Sequence, residues 1–548
     1  MRLHYIDFIS DDQVIETLGQ KEKIGHLETY LLKQRKKIYF KWSLLFLLLA
    51  VMGYGVEFDL IKIFQGLPSM AELIQRMLKP NIKYIYQIGP ALIETIRMTL
   101  IASFIGVAIA VPIALVIADN TAPIKGLARF LQIFFALLRT IPSLIWAALL
   151  VSLFSVGLFS GIMALMLVSI LIAIKLLREA VETINENTLL SFYSLGAGKI
   201  AFMRQGILPI MKEKIVSVFF ITVETNMRNA AVLGLVGAGG IGQLLWKDLN
   251  HLRYDNVAMI VLAMFLMIIL TDFFCTRARQ YLTNYSKNHA HIGAYKSYKY
   301  RERCIKFLIF MLLIIRVKTF LTIDSKRLSL GLEQAYRMLS RMLDIEVAYA
   351  PKVLGALVES ASIAIFATIV GGIIAWGLSY HTALNMAPRR GICWIYKGFS
   401  NILRTFPPMI MAIIFFRGVG AGPLAGALAL SLYTAGILLK MYSEYLEHLS
   451  EELVQGLLVT GCSSRINFIK SIWPNTAKQF WSLLFYRLES NIRTSTVLGI
   501  IGAGGVGSLL TNNIMWRNWE RVGMLILGSS ILIISIDFLS GKIRRVFN

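Results

Sequence analysis

The sequence predicts an all-α polytopic membrane protein, built as a tandem parallel repeat of two domains with about six spans each. Hydropathy, an internal repeat and the placement of charge carry that expectation. Of 548 residues, 56% are hydrophobic and only 16% charged, and the mean hydropathy is +0.64. A soluble domain of that hydropathy would have too little polar surface to cover itself. A helix needs about 20 apolar residues to cross ~30 Å of hydrocarbon. Such runs fall at about 42–57, 91–118, 130–156, 162–177, 215–233 and 256–274, and again 265 residues later. The weakest is the first of the second set, where Arg316 and Lys318 interrupt Phe307–Ile315. Twelve spans are expected, or eleven if that run fails to cross.

The repeat is the most detailed signal. Glu224-Thr-Asn226-Met-Arg228 continues through Val232-Leu233-Gly234 to Gly237-Ala238-Gly239-Gly240-Ile241-Gly242. An offset of 265 gives Glu489-Ser-Asn491-Ile-Arg493, Val497-Leu498-Gly499 and Gly502-Ala503-Gly504-Gly505-Val506-Gly507, ungapped, with 11 of 19 positions identical. The same offset pairs Asp59 with Asp324, Glu94 with Glu359, Arg139 with Arg404, Glu179 with Glu444, Pro209 with Pro474 and Asp272 with Asp537. A repeat this long is a domain rather than a solenoid unit. Two fused domains put the function at their shared axis.

Charge placement sets the expected topology. The net charge of +24 could suggest nucleic acid, but it gathers where spans begin and end. Between Arg277 and Lys306 sit eight Lys or Arg against one acid, Glu302, while Lys33, Arg35, Lys36 and Lys37 precede the first run. Short basic segments beside apolar spans stay in the cytoplasm. The expected organisation is a cytoplasmic segment 1–38, a first repeat 39–276, a basic cytoplasmic linker 277–304 and a second repeat 305–548. Both repeats then share one orientation, with the pseudo-two-fold along the membrane normal. The first run follows some forty charged residues and does not read as a signal peptide. Cys275, Cys304, Cys393 and Cys462 share no spacing and indicate neither a metal site nor a disulfide framework.

Several patterns resemble catalytic motifs without their context. Gly237 to Gly242 and Gly502 to Gly507 satisfy GxGxxG, but follow membrane helices rather than strands. Gly198-Lys199 lacks the remaining residues of a phosphate loop, with Tyr193 and Ile200 at the positions that matter. No catalytic residues, metal ligands or bound cofactor are expected. Any ATP and Mg used must be held by another subunit.

Between the fourth and fifth spans each repeat carries about 35 residues expected to be cytoplasmic. The first reads Arg178-Glu179-Ala180-Val181-Glu182, Leu195-Gly196-Ala197-Gly198 and Ile207-Leu208-Pro209. The second reads Ser443-Glu444-Tyr445, Thr460-Gly461-Cys462 and Ile472-Trp473-Pro474. The acids suit a helix N-terminal turn, the glycine a sharp turn and the proline an end to the segment. A helix, a glycine turn and a second helix would make a rigid knob. This stretch resembles the coupling loop of ABC importer permeases, which docks into a groove on the ATPase. The E-x-N-x-R…V-L-G…G-A-G-G-[IV]-G block resembles the phosphonate permeases more specifically, over roughly 40–275 and 305–540. The usual Glu-Ala-Ala triplet is replaced by Leu190-Ser191-Phe192 and Gln455-Gly456-Leu457. Docking would then rest on helix shape and the glycine turn.

The E-x-N-x-R block also has a reading of its own. Glu224 and Arg228, like Glu489 and Arg493, are four apart on one helix face in the favoured order. Charges within a span face protein or an aqueous cavity. They are either a structural ion pair or, at the axis, arginines offered to an anion, since a guanidinium forks onto phosphonate or phosphate oxygens. Both roles can coexist. Asn226 and Asn491 are included in the expected pathway. The glycines Gly234, Gly237, Gly239, Gly240 and Gly242, with Gly499, Gly502, Gly504, Gly505 and Gly507, interrupt a helix at membrane depth. They serve either close packing or a hinge or gate. Arg139-Thr140-Ile-Pro142 and Arg404-Thr405-Phe-Pro407 imply a proline kink that could turn Thr140 and Thr405 toward the pathway.

The resemblance implies a type I ABC importer permease in the bacterial plasma membrane. Its partners would be two copies of an ATPase subunit and an extracytoplasmic solute-binding protein; no nucleic acid is implied. The implied cargo is a phosphonate or related phosphorus oxyanion, with an organic phosphate such as thiamine diphosphate as the alternative. An ion-coupled secondary transporter is the competing class. It would be expected to show unpaired deep acids, whereas those here are accompanied by arginine.

Overall fold

The computed structural model describes residues 43, 47–185, 187, 194, 198, 202–288, 325–386, 390–455 and 458–547. Segment 1–38, most of the linker, the first run of the second repeat, and Gly196 with Ala197 lie outside these residues. Met1–Gly55 forms a separate unit, in which 47–55 are helical. The second unit, Val56–Asn548, carries the helices of both repeats.

Eight helices recur in each repeat at the offset read from the sequence. The first repeat holds α1 (Leu60–Met77), α2 (Ile85–Ile117), α3 (Lys125–Thr140), α4 (Ser143–Phe154), α5 (Leu158–Glu182), α6 (Leu208–Leu233), α7 (Gly240–Asn250) and α8 (Tyr254–Asn288). The second holds α9 (Ser325–Leu343), α10 (Ala350–Thr382), α11 (Arg390–Thr405), α12 (Pro408–Val419), α13 (Pro423–Glu447), α14 (Trp473–Leu498), α15 (Gly505–Met515) and α16 (Trp519–Phe547). Among the described residues, six uninterrupted helices are long and apolar enough to cross a bilayer, or nine if each of three bent pairs is one span. Helix α6 spans 26 residues, but Glu224, Asn226 and Arg228 dilute its hydropathy. Helix α8 runs to Asn288, well past the expected start of the linker at 277.

Local chemistry sets the boundaries. Asp59 caps α1 by accepting from the amides of Ile61 at 2.8 Å and Lys62 at 3.3 Å. Ile141 precedes proline and is extended, at φ −75° and ψ 120°. Pro142 cannot donate to the preceding turn. The expected kink in the third span is therefore a full break, with α3 and α4 meeting at 87°, as do the helices flanking Phe406-Pro407. Pro209 and Pro474 are each the second residue of a long helix, α6 or α14, rather than the end of a segment. Wider π-type turns, Phe202–Ile207 and Phe468–Ile472, run into them, an adjustment suited to a missing amide donor.

The repeats interlock through the short helices after these breaks. Ile145 and Leu149 of α4 pack into the second repeat, against Met338, Tyr349, Val353 and Val506. Reciprocally, Ile410 of α12 packs into the first repeat, against Tyr84, Ile88, Ile241 and Val257. A Cβ on Gly66 of α1 would stand 2.5 Å from the carbonyl oxygen of Gly418 on α12, so the two backbones touch. Its counterpart Gly331, on α9, meets Phe154 of α4. Within a bilayer such close packing, rather than exclusion of water, holds helices together.

Candidate functional site

The E-x-N-x-R helices α6 and α14 bring their arginines to a central cavity of about 380 Å³. Four arginines line it: Arg139, Arg228, Arg404 and Arg493. They are two pairs related by the repeat, one from the ends of α3 and α11 and one from α6 and α14. Thr225, Asn229, Ser490 and Thr494 add polar atoms, while Pro142, Pro407, Val232 and Val497 complete matched walls. No carboxylate of the described residues lines the cavity.

The acids stand behind the arginines instead. Arg228 Nη2 donates to Glu224 Oε1 at 2.9 Å and Asp272 Oδ2 at 2.6 Å, and Arg279 Nη2 donates to Glu224 Oε2 at 3.0 Å. Arg493 is paired with Glu489 in the same way. Arg404 lies 3.9 Å from Asp272 of the opposite repeat. The pairs are incomplete: Nε of both Arg228 and Arg493 is buried without a hydrogen-bond partner. The cavity is thus lined by guanidinium groups held in place by neighbouring carboxylates, which reduce their net charge.

Two sets of expected pathway residues lie elsewhere. Asn226 is fully buried, and its Nδ2 donates to Ser103 Oγ at 2.8 Å and Ser169 Oγ at 2.6 Å. Asn491 likewise donates to Thr368 and Thr434 hydroxyls. At i+2 these side chains leave the arginine face, and they clamp α6 to α2 and α5, and α14 to α10 and α13. Thr140 also misses the cavity. Its hydroxyl bonds Leu137 O at 2.7 Å and Ser530 Oγ at 2.9 Å, because the break turns Arg139 inward and Thr140 toward α16. The side chain of Thr405 lies outside the described residues. Arg139 and Arg404, which the motif reading did not place on the pathway, were recognisable as arginines paired at the repeat offset within apolar runs. Tyr433, another wall residue, has Val168 as its counterpart and no such signal.

The glycine block forms a close-packed turn between α6 and α7, and between α14 and α15. Gly237, Gly239 and Gly240 have φ of +84°, +83° and +71°, and Gly502, Gly504 and Gly505 have +102°, +76° and +67°. A Cβ on Gly240 would lie 2.6 Å from Thr95 Oγ1, which accepts from the Ile241 amide at 2.9 Å. Ser360 serves Val506 identically. Gly234 and Gly499 pack against backbone at Gly242 and Gly507. None of these glycines lines the arginine cavity. Val236, Ile500 and Ile501, one turn beyond Val232 and Val497, line a second, mainly apolar cavity of about 380 Å³. A larger cavity, about 850 Å³, lies among apolar side chains of α2, α6 and α8, and its walls suit hydrocarbon rather than an anion.

At the opposite end, the acids expected to start a helix instead end α5 and α13. Glu179 lies 3.8 Å from Lys175 and Glu444 3.4 Å from Lys440, with Ala180 beside Glu179 on the same last turns. Acids are disfavoured at a helix C-terminus. Glu182 and Glu447 are compensated by accepting from the Asp119 and Leu384 amides, at 3.2 and 3.0 Å. In the second repeat a short helix, Glu451–Gln455, does carry acids in its first turn. Gly461 follows with φ +76°, and Asn467 Nδ2 bonds Val454 O at 2.6 Å across the turn, giving a compact helix–turn–helix.

Comparison with known proteins agrees with this duplicated architecture. The family described as "Binding-protein-dependent transport system inner membrane component" matches twice, over residues 110–283 and 367–545. The chain is 25% identical over 498 residues to "Phosphate-import permease protein PhnE" of Mycolicibacterium smegmatis, covering 90% of this chain and 92% of that one. It is 31% identical over 247 residues to "Putative phosphite transport system permease protein HtxC" of Stutzerimonas stutzeri, covering 45% of this chain and 87% of the relative. Among solved structures, an inward-facing form of the MetNI methionine ABC transporter aligns with TM-score 0.33 and 21% identity, covering 37% of this chain and 99% of that chain. The chain belongs to the family of binding-protein-dependent transport system inner membrane components, with two type I ABC-importer permease domains in one polypeptide.

Proposed function

We propose that the chain forms the complete membrane pathway of an importer for a phosphorus oxyanion, with the four-arginine cavity as the cargo's station. That cavity is the observation that carries the reading. A guanidinium matches the oxygens of phosphate, phosphite or phosphonate, and a lining whose charged residues, among those described, are all arginines favours an anion over a neutral or cationic cargo. Paired carboxylates reduce the attraction, as a conducting site requires, because cargo must leave as well as enter. Names of the relatives, a phosphate importer and a phosphite permease, point to the same chemical class.

Two ATPase subunits would dock on residues 183–207 and 448–472, holding ATP and Mg themselves. A solute-binding protein would deliver cargo at the opposite face. On this reading the N terminus, linker and knobs are cytoplasmic, in keeping with their basic flanks. Closure of the ATPases would rock the repeats about their interlocked helices, and the apolar turn at Val236, Ile500 and Ile501 would close one side of the cavity.

The test is uptake into proteoliposomes containing the chain, its ATPase and its binding protein. Phosphate, phosphite, methylphosphonate and thiamine diphosphate are offered separately, with and without ATP. ATP-dependent accumulation of one of the first three is expected. Accumulation of thiamine diphosphate alone would replace the cargo, and ATP-independent uptake would restore the secondary transporter.

A further inference from the structure

Beside the cavity the two repeats differ in one buried charge. Arg487 on α14 is only 6% exposed, and among the described residues it has no carboxylate partner. Its Nη1 donates to Ser490 Oγ at 3.2 Å, and its guanidinium carbon lies 5.0 Å from the centre of the Tyr433 ring. Both contacts are residues of the cavity wall. Its Nε and Nη2 are buried without a well-formed hydrogen bond. The first repeat has nothing equivalent: the matching positions are Thr222, which bonds its own helix at Phe219 O, and Val168. Four arginines are shared by symmetry, whereas this fifth cation belongs to one side.

A buried guanidinium without a carboxylate is costly, and within a membrane span such a group marks a functional site by default. Its surroundings indicate how it would act. Ser490 Oγ accepts from Arg487, leaving the hydroxyl's own proton available to the cavity, and the cation against the Tyr433 ring fixes that side chain in the wall. The positive field reaches the cavity through a single layer of side chains, where low polarity leaves it poorly screened.

We infer that Arg487 is a positioning residue that makes the cavity a one-sided anion site, drawing the transiting oxyanion toward Tyr433 and Ser490 of the second repeat. The inference rests on the cargo reading above. The offset-related halves of the chain are then unequal in transport: both line the cavity, and the second repeat holds the cargo more tightly.

The experiment uses the full chain reconstituted with its ATPase and saturating loaded binding protein. Radiolabelled phosphate, phosphite and methylphosphonate uptake is measured beside ATP hydrolysis. Arg487→Met is expected to melt no lower than wild type, since removing an unpaired buried charge does not destabilise. ATP hydrolysis stays within about twofold, while anion moved per ATP falls about tenfold, the loss of a nearby, poorly screened positive charge. Arg487→Lys recovers at least about half of that ratio by keeping the charge, and Thr222→Val matches wild type. An unchanged ratio in Arg487→Met would overturn the inference while leaving the cargo class intact. Joint loss of melting temperature, hydrolysis and uptake in both Arg487 variants would make the residue structural and overturn it too. If the wild type accumulates none of the three anions, cargo class and one-sided site fall together.

Discussion

Asn226 and Arg228 stand two residues apart on α6 and have separate duties. The asparagine is a dry clamp between helices, while the arginine lines the cavity. Replacing Asn226 with Leu leaves two buried hydroxyls without their partner, and should lower stability by about 1–3 kcal/mol. Transport per folded molecule should survive, as measured by a thermal melt in detergent beside uptake normalised to folded protein. Abolished transport at unchanged stability would return Asn226 to the pathway. The sequence made the helical face of Glu224 and Arg228 legible, because i,i+4 spacing alone implies it. It could not reveal that Arg139 rather than Thr140 turns inward, since that depends on the direction of an 87° break between two helices.

At the scale of elements, the legible features were those set by local chemistry: apolar runs, glycines with positive φ and prolines at breaks. Helices α1 and α9 leave no such signal because they are amphipathic, their apolar residues interrupted by charges such as Lys62, Glu72 and Arg76, or Glu333, Arg337 and Arg341. The acid-rich turns were assigned to the wrong end of a helix. Nothing in Arg178–Glu182 stops α5, and their compensation by the Asp119 amide is a contact 63 residues away in sequence. The knob turn offers a clean test. A Cβ at Gly461 would meet nothing within 4 Å, so Gly461→Val strains only the backbone, at about 1–2 kcal/mol. Transport per ATP should fall while the melting temperature of the helical bundle holds. Unimpaired coupling would show that the turn does not shape the docking surface. By contrast, Gly240→Val would drive a side chain into Thr95, and loss of folded protein is expected there.

For the whole molecule, the decisive feature is reciprocity: each repeat completes the other's core through α4 and α12. The offset foretold two equal domains, but not that they exchange helices, because side-chain pattern does not say which neighbour a helix will choose. Ile145→Ala and Ile410→Ala should each destabilise by about 2–5 kcal/mol, the loss registering in the opposite repeat as accelerated hydrogen exchange around Val353 or Ile88. Halves expressed as separate chains, divided within 289–304, should copurify, and independent elution would contradict the interlock. Reciprocity also gathers the four arginines around one cavity, and that arrangement is the central claim. Its most direct test is ATP-driven uptake of phosphate, phosphite and methylphosphonate by the double variant Arg228→Gln with Arg493→Gln, with ATP hydrolysis followed in parallel. Uptake should fall at least about a hundredfold, as expected for two charge-assisted contacts, while hydrolysis stimulated by the binding protein persists. Undiminished uptake of the oxyanion that the wild type carries would remove the arginine cavity from the transport path.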